Sequence, residues 1–169
     1  MRTRLSAVAV VGVVLAMALS WVTIRACAQE ANSSDPIVGA WKLDPEKSVM
    51  NRAGGDPVHP TRSVTRVIAI EGDGYRMNAN AKGDAAPTGG YFARFDGKEY
   101  PDPHGPGHGE VAIHWRLSPY LMVRLVKMNG TPTEWATWAV SSDGNVLTTT
   151  SWEPATPEYH NVQVYERQK

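Results

Sequence analysis

Four turn dipeptides at short intervals constrain the fold of this chain more than any other feature. Asparagine and aspartate followed by glycine adopt positive φ at little cost, and next to alternating apolar residues such pairs indicate a β-hairpin. Apolar and polar residues alternate on both sides, as in Ile68 and Ile70 before the first pair and Tyr75 and Met77 after it. The pairs are Asp73-Gly74, Asp96-Gly97, Asn129-Gly130 and Asp143-Gly144.

The alternating segments predict eight or nine strands with almost no helix. Only residues 44–48 favour a single helical turn, with Asp44 as the N-cap and Pro45 in the first position. A meander of strands has two exposed edges, and closure into a barrel removes them. We therefore predict an all-β fold, a single antiparallel up-and-down β-barrel, with a two-sheet β-sandwich as the alternative. The predicted strands are 37–43, 63–71, 74–82, 89–96, 110–117, 119–128, 133–141, 145–152 and 159–167.

The N-terminal residues predict export. A basic start, an apolar centre and small residues at Ala26 and Ala28 are typical of a signal peptide over residues 1–28. An uncleaved anchor and a lipid attached to Cys27 are weaker alternatives. We expect a flexible leader at 29–36, a barrel domain at 37–169, and a periplasmic or secreted monomer without stable membrane insertion after cleavage.

Charge argues against a nucleic-acid partner. Loss of residues 1–28 removes three arginines and no acid, which leaves a net charge of −3. Proteins that bind nucleic acid usually carry a basic patch, and this chain has none in its sequence.

Four short motifs resemble those of small exported bacterial proteins described as lipocalin-like, within the calycin superfamily of lipocalins and fatty-acid-binding proteins. They are GAWKLDPEKS at 39–48, FDGKEYP at 95–101, VSSDG at 140–144 and VYERQ at 164–168. The resemblance implies a barrel in which Gly39 permits close approach, Trp41 plugs one end, and Arg167 covers Trp41.

One departure from fatty-acid-binding proteins concerns the ligand. Those proteins hold a carboxylate with an Arg-x-Tyr triplet on the last strand, and the corresponding triplet here is Gln163-Val164-Tyr165. The usual carboxylate clamp is therefore not expected.

Large, flat or flexible side chains and strand arginines are the predicted ligand contacts. Aromatic and methionine surfaces line pockets for apolar ligands, and an inward arginine favours a carboxylate or phosphate. Arg66 and Arg94 also interrupt strands, and an outward position in water is the alternative for any of the arginines. The predicted ligand-binding residues are Tyr91, Arg116, Met122, Arg124, Trp138 and Tyr165.

His104 and His108 are weak candidates for a metal site. They lie with Asp102 and Glu110 in a connection rich in glycine and proline, which excludes helical geometry. A flexible, pH-responsive loop at the barrel mouth is the preferred interpretation. We predict no metal and no cofactor.

The predicted function is binding of a small apolar or amphipathic ligand in the barrel interior. The alternatives are a ligand-free packed barrel that acts as an envelope interaction module, and a barrel enzyme with a histidine acid–base. No catalytic motif is assembled in the sequence, so an enzyme is not predicted.

Overall fold

A computed structural model describes residues 35–51, 55–81, 89–102 and 110–169, and these form ten β-strands. The predicted signal peptide and most of the leader lie outside the described residues. The strands in chain order are β1 (Gly39–Met50), β2 (Val64–Glu71), β3 (Gly74–Ala81), β4 (Gly89–Ala93), β5 (Asp96–Pro101), β6 (Glu110–Ser118), β7 (Leu121–Met128), β8 (Thr131–Val140), β9 (Val146–Trp152) and β10 (His160–Arg167).

The strands form one antiparallel, up-and-down sheet that curls into a nearly closed barrel, which confirms the predicted fold class. The strand order is β4-β3-β2-β1-β10-β9-β8-β7-β6-β5, so β10 lies between β1 and β9. Strands β4 and β5 end the sheet, and the described residues contain no ladder between them. Nowhere in the described ranges is there a helix long and apolar enough to cross a membrane.

Two local differences separate the structure from the sequence prediction. Strand β5 is absent from the sequence prediction, because the Asp96-Gly97 pair at its start indicates a turn. The helical turn predicted at 44–48 is wrong, because β1 continues through these residues and its ladder with β10 changes register between Asp44 and Val49. Asp44 does act as a local cap: its carboxylate accepts hydrogen bonds from the backbone N–H groups of Glu46 and Lys47.

One end of the barrel, which we call the Trp41 end, is filled by side chains. The Trp41 ring is fully buried, and its Nε1 donates a hydrogen bond to the Ile37 carbonyl at 2.8 Å. The Arg167 guanidinium lies 4.1 Å from the centre of that ring. Gly39 has φ of +149°, and a Cβ there would lie 2.3 Å from Arg167 Nη1. Only glycine therefore fits beneath this arginine.

A second arginine completes the Trp41 end. Both terminal nitrogens of Arg116 donate to the Asp35 carboxylate, at 2.6 and 2.5 Å. Tyr75 donates its hydroxyl hydrogen to the same carboxylate at 2.5 Å. The Trp41 end thus joins the start of the described chain to β3 and β6.

Candidate functional site

A cavity of about 410 Å³ lies inside the barrel, beyond the Trp41 end. This volume falls within the range of small-molecule sites, and its wall combines apolar surface with a few polar groups, as such sites usually do. Strands β2–β4 and β6–β10 supply the wall. The apolar lining residues include Met77, Ala79, Val126, Met128, Ala136 and Trp138, and the polar ones include Arg66, Tyr91, Asp102, Glu110, Arg124, Glu134, Thr149 and Gln163.

Arg66 brings a positive charge to one wall of the cavity. Its Nη2 donates a hydrogen bond to Gln163 Oε1 at 3.2 Å, and its guanidinium lies 4.7 Å from the Tyr165 ring centre and 5.8 Å from that of Trp138. Within the described ranges, no carboxylate forms an ion pair with Arg66. Its neighbours here are an amide and two aromatic rings, so an anion entering the cavity would meet an unneutralised cation.

Gln163 holds this arginine in place. The Gln163 side-chain oxygen also accepts hydrogen bonds from the hydroxyl of Tyr165 at 3.1 Å and from that of Thr149 at 3.5 Å. Three donors thus converge on one neutral acceptor. Because Gln163 is uncharged, it orients the Arg66 guanidinium without neutralising it.

The second cavity arginine, Arg124, is neutralised by carboxylates. Its Nη2 donates to Asp102, and its Nη1 donates to Glu134 Oε1 at 2.7 Å. The Arg124 guanidinium also lies 5.4 Å from the centre of the Tyr91 ring. These contacts place two negative charges beside one positive charge at the β7–β8 wall.

A buried histidine lies behind Tyr91. His114 is 2% exposed, and a hydrogen bond of 3.1 Å joins its Nε2 to the Tyr91 hydroxyl. Burial lowers the pKa of His114 to about 3, with a smaller contribution from the Arg124 charge, so the ring is neutral near pH 7. Burial also raises the pKa of Tyr91 to about 12. This histidine contacts a phenol rather than a carboxylate.

Glu110 is a buried acid of the cavity with an unpartnered oxygen. The residue is 4% exposed, and its Oε2 has no hydrogen-bond partner among the described residues. Burial raises the pKa of this carboxyl, and the negative charge of Asp102 raises it further. The cavity therefore holds an acid that is costly to ionise where it lies.

The structure separates the predicted ligand contacts into three groups. Tyr91, Arg124 and Trp138 line the cavity. Met122 and Tyr165 are almost fully buried in the core. Arg116 lies at the Trp41 end, bound to Asp35, and His104 and His108 lie outside the described residues. The described ranges contain no group of three or more histidine, cysteine or acidic side chains able to hold a metal ion.

Sequence reasoning missed three polar residues of the site. From the sequence, Arg66 is one of several strand arginines, Glu110 is a weak candidate metal ligand, and Gln163 stands in place of the arginine of the Arg-x-Tyr triplet. Strand alternation carries the signal, because each shares its strand face with a buried residue two positions further along: Ile68, Ala112 and Tyr165 respectively.

Solved structures show which fold this is. The chain is 14% identical to fatty-acid-binding protein 1 of Echinococcus granulosus, with a TM-score of 0.59 over 79% of this chain and 98% of that one. The wild-type fluorescent protein UnaG is 17% identical, with a TM-score of 0.57 over 78% of this chain and 97% of that one. A fatty acid transporter, REP1-NXSQ, is 14% identical, with a TM-score of 0.56 over 78% of this chain and 96% of that one. The fold is that of the fatty-acid-binding proteins. No family profile matches the sequence, and no curated protein does.

Proposed function

We propose that this protein binds a small amphipathic carboxylate in its barrel, with the carboxylate at Arg66 and the apolar part against Trp138 and the methionines. The observation that carries this is the Arg66 guanidinium, which lines an otherwise partly apolar cavity and is held by the neutral Gln163. A half-buried cation without an ion-pair partner favours an anionic ligand, and burial of the apolar part supplies further affinity.

The comparisons support a ligand of this kind. Two of the similar structures are named as a fatty-acid-binding protein and a fatty acid transporter. In the present chain Gln163 stands where the Arg-x-Tyr triplet would have its arginine. Arg66 comes from β2 instead and packs on Tyr165, the tyrosine of that triplet. The positive charge and the tyrosine are thus adjacent, although the charge comes from a different strand.

The test is a titration of decanoic acid into the purified protein, followed by tryptophan fluorescence and calorimetry. We expect one-to-one binding, and about a tenfold or greater loss of affinity in Arg66→Met, because a charge-assisted hydrogen bond contributes about 1.5–3 kcal/mol. Arg76→Met is the matched control, since Arg76 is exposed and paired with Glu71 at 2.7 Å. Equal binding by Arg66→Met and wild type, or equal affinity for decanol and decanoate, would contradict the proposal.

We further propose that the protein is an exported, lipocalin-like carrier and not an enzyme. The support for export is the signal-peptide pattern of residues 1–28, and the mass of the protein recovered from outside the cytoplasm tests it. A mass that includes residues 1–28 without lipid would contradict cleavage. The support for a carrier role is that His114 contacts Tyr91 rather than a carboxylate. Ligand recovered chemically changed after incubation would favour the enzyme alternative.

A further inference from the structure

We infer that Glu110 is a second polar anchor of the cavity, and that the natural ligand carries a protonated amine, or another compact cation, in addition to its carboxylate. This inference rests on the proposed function and specifies the class of ligand. It assigns opposite ends of one molecule to Arg66 and Glu110.

The position of Glu110 is unfavourable for the free energy of folding. A buried polar atom without a hydrogen-bond partner is destabilising, and the great majority of buried polar atoms have one. Glu110 lines the cavity, is 4% exposed, and leaves Oε2 without a partner. Its backbone already fixes the local chain, because the Glu110 carbonyl accepts a hydrogen bond from the Asp102 N–H at 3.1 Å. The fold therefore gains no described contact from the unpaired oxygen.

The charge of the surrounding groups also bears on Glu110. Asp102 follows β5, Arg124 lies on β7 and Glu134 on β8, and all three influence the ionisation of Glu110. Arg124 is already shared between Asp102 and Glu134. His114, on the same strand as Glu110, is neutral. Among the described residues, three carboxyl groups thus lie near a single guanidinium, and this excess of acids favours a cationic partner for Glu110.

Two parts of the cavity wall differ in charge. The wall at Arg66 carries a positive charge held by neutral groups, and the wall at Glu110 carries more acids than bases among the described residues. A ligand with a carboxylate alone would satisfy the first wall and leave the second as it is. A ligand with an added ammonium group would satisfy both, because its two charges match the two walls in sign.

A pH dependence follows from the same arrangement. Burial and neighbouring acids favour the protonated form of Glu110 in the free protein. An ammonium group pairs with the ionised form, so binding of the amine competes with protonation of Glu110. As the pH falls, that proton becomes harder to displace, and the advantage of the amine over the plain acid shrinks.

The experiment compares decanoic acid with its ω-amino derivative by calorimetry, for wild type, Glu110→Gln and Arg66→Met. In wild type we expect the amino acid to bind about tenfold more tightly than decanoic acid, and this preference to fall as the pH is lowered. In Glu110→Gln the preference reverses, since an unpaired ammonium is costly to bury. In Arg66→Met both ligands bind more weakly.

The outcomes separate the two proposals. If wild type binds decanoic acid as tightly as the amino derivative or more tightly, Glu110 is not a cation anchor, and the carboxylate proposal stands. Retention of the preference in Glu110→Gln would also overturn the inference. If wild type binds neither ligand, the proposed function fails, and this inference fails with it. The wild-type comparison needs no variant, so it is decisive even if Glu110→Gln does not fold.

Discussion

The two ends of strand β6 place charged side chains in the barrel in opposite circumstances. Arg116, near the end of β6, directs both terminal nitrogens to the carboxylate of Asp35. Glu110, at the start of β6, leaves one carboxylate oxygen without a partner. The Trp41 end is therefore built from matched groups, whereas the cavity contains an arginine and an acid that form no ion pair of their own among the described residues. From this comparison we expect the Trp41 end to contribute more to stability than the cavity does.

The largest loss of stability is expected from a substitution at the Trp41 end. Trp41→Ala removes a fully buried ring together with its stacking contact to Arg167. We expect the free energy of unfolding to fall by about 3–5 kcal/mol, as for other large-to-small core substitutions. Urea denaturation measures this. Val67→Ala is the control, because Val67 is exposed on β2; an equally small loss in both variants would contradict a stabilising role for the Trp41 end.

A second prediction concerns the pH dependence of stability that comes from the buried His114. The pKa of His114 is about 3 in the fold and about 6.5 when unfolded, so the unfolded chain binds the extra proton first. Stability from the neutral ring is complete above pH 6.5 and declines as the pH falls toward 3. Between pH 7 and pH 4.5 we expect wild type to lose about 2–3 kcal/mol more than His114→Gln.

The measurement is urea denaturation of both proteins at several pH values. Glutamine keeps a hydrogen-bonding group for the Tyr91 hydroxyl and does not titrate, so it isolates the ionisation of the ring. Parallel pH profiles for the two proteins would contradict the prediction, because they would show that folding does not lower the pKa of His114.

The smallest expected effect is a gain in stability at the cavity. Glu110→Met removes a buried acid with an unpartnered oxygen, and we expect about 1 kcal/mol of added stability at neutral pH. The pKa of Glu110 is raised in the fold, so wild-type stability falls as the pH rises through that pKa, and the advantage of the variant grows with pH. Thermal and urea unfolding between pH 4.5 and pH 8 test this. Glu99→Met, at an exposed position, is the control and changes little; a destabilised Glu110→Met would mean that the acid supports the fold.

Much of the fold was predictable from the sequence, because turn dipeptides and period-two alternation are local signals. Strand β5 was not predictable in this way, because the turn pair Asp96-Gly97 lies at the start of the strand and the register with β6 is irregular. The bulge after Asp44 looked like a helical turn because the same side-chain caps serve both structures.

The site was less predictable, because it depends on which distant strands meet. Tyr91, Arg124 and Trp138 were identified by residue type and do line the cavity. The partner of each arginine was not predictable: Asp35 reaches Arg116 from 81 residues away, and Gln163 reaches Arg66 from 97. Alternation gives the face of a strand, but only the assembled sheet decides which of the four strand arginines forms no ion pair among the described residues.

The position of β10 between β1 and β9 has a consequence for how the chain acquires its shape during synthesis. Strands β1–β4 and β5–β9 each consist of neighbours that can pair as soon as they leave the ribosome. Among the described strands, the two groups are joined only through β10, which follows all the others in the chain. Such distant pairing is slow to form, so we expect the two groups to pair separately in the nascent chain, and the Arg167 contact to Trp41 cannot form before residue 167 has been synthesised.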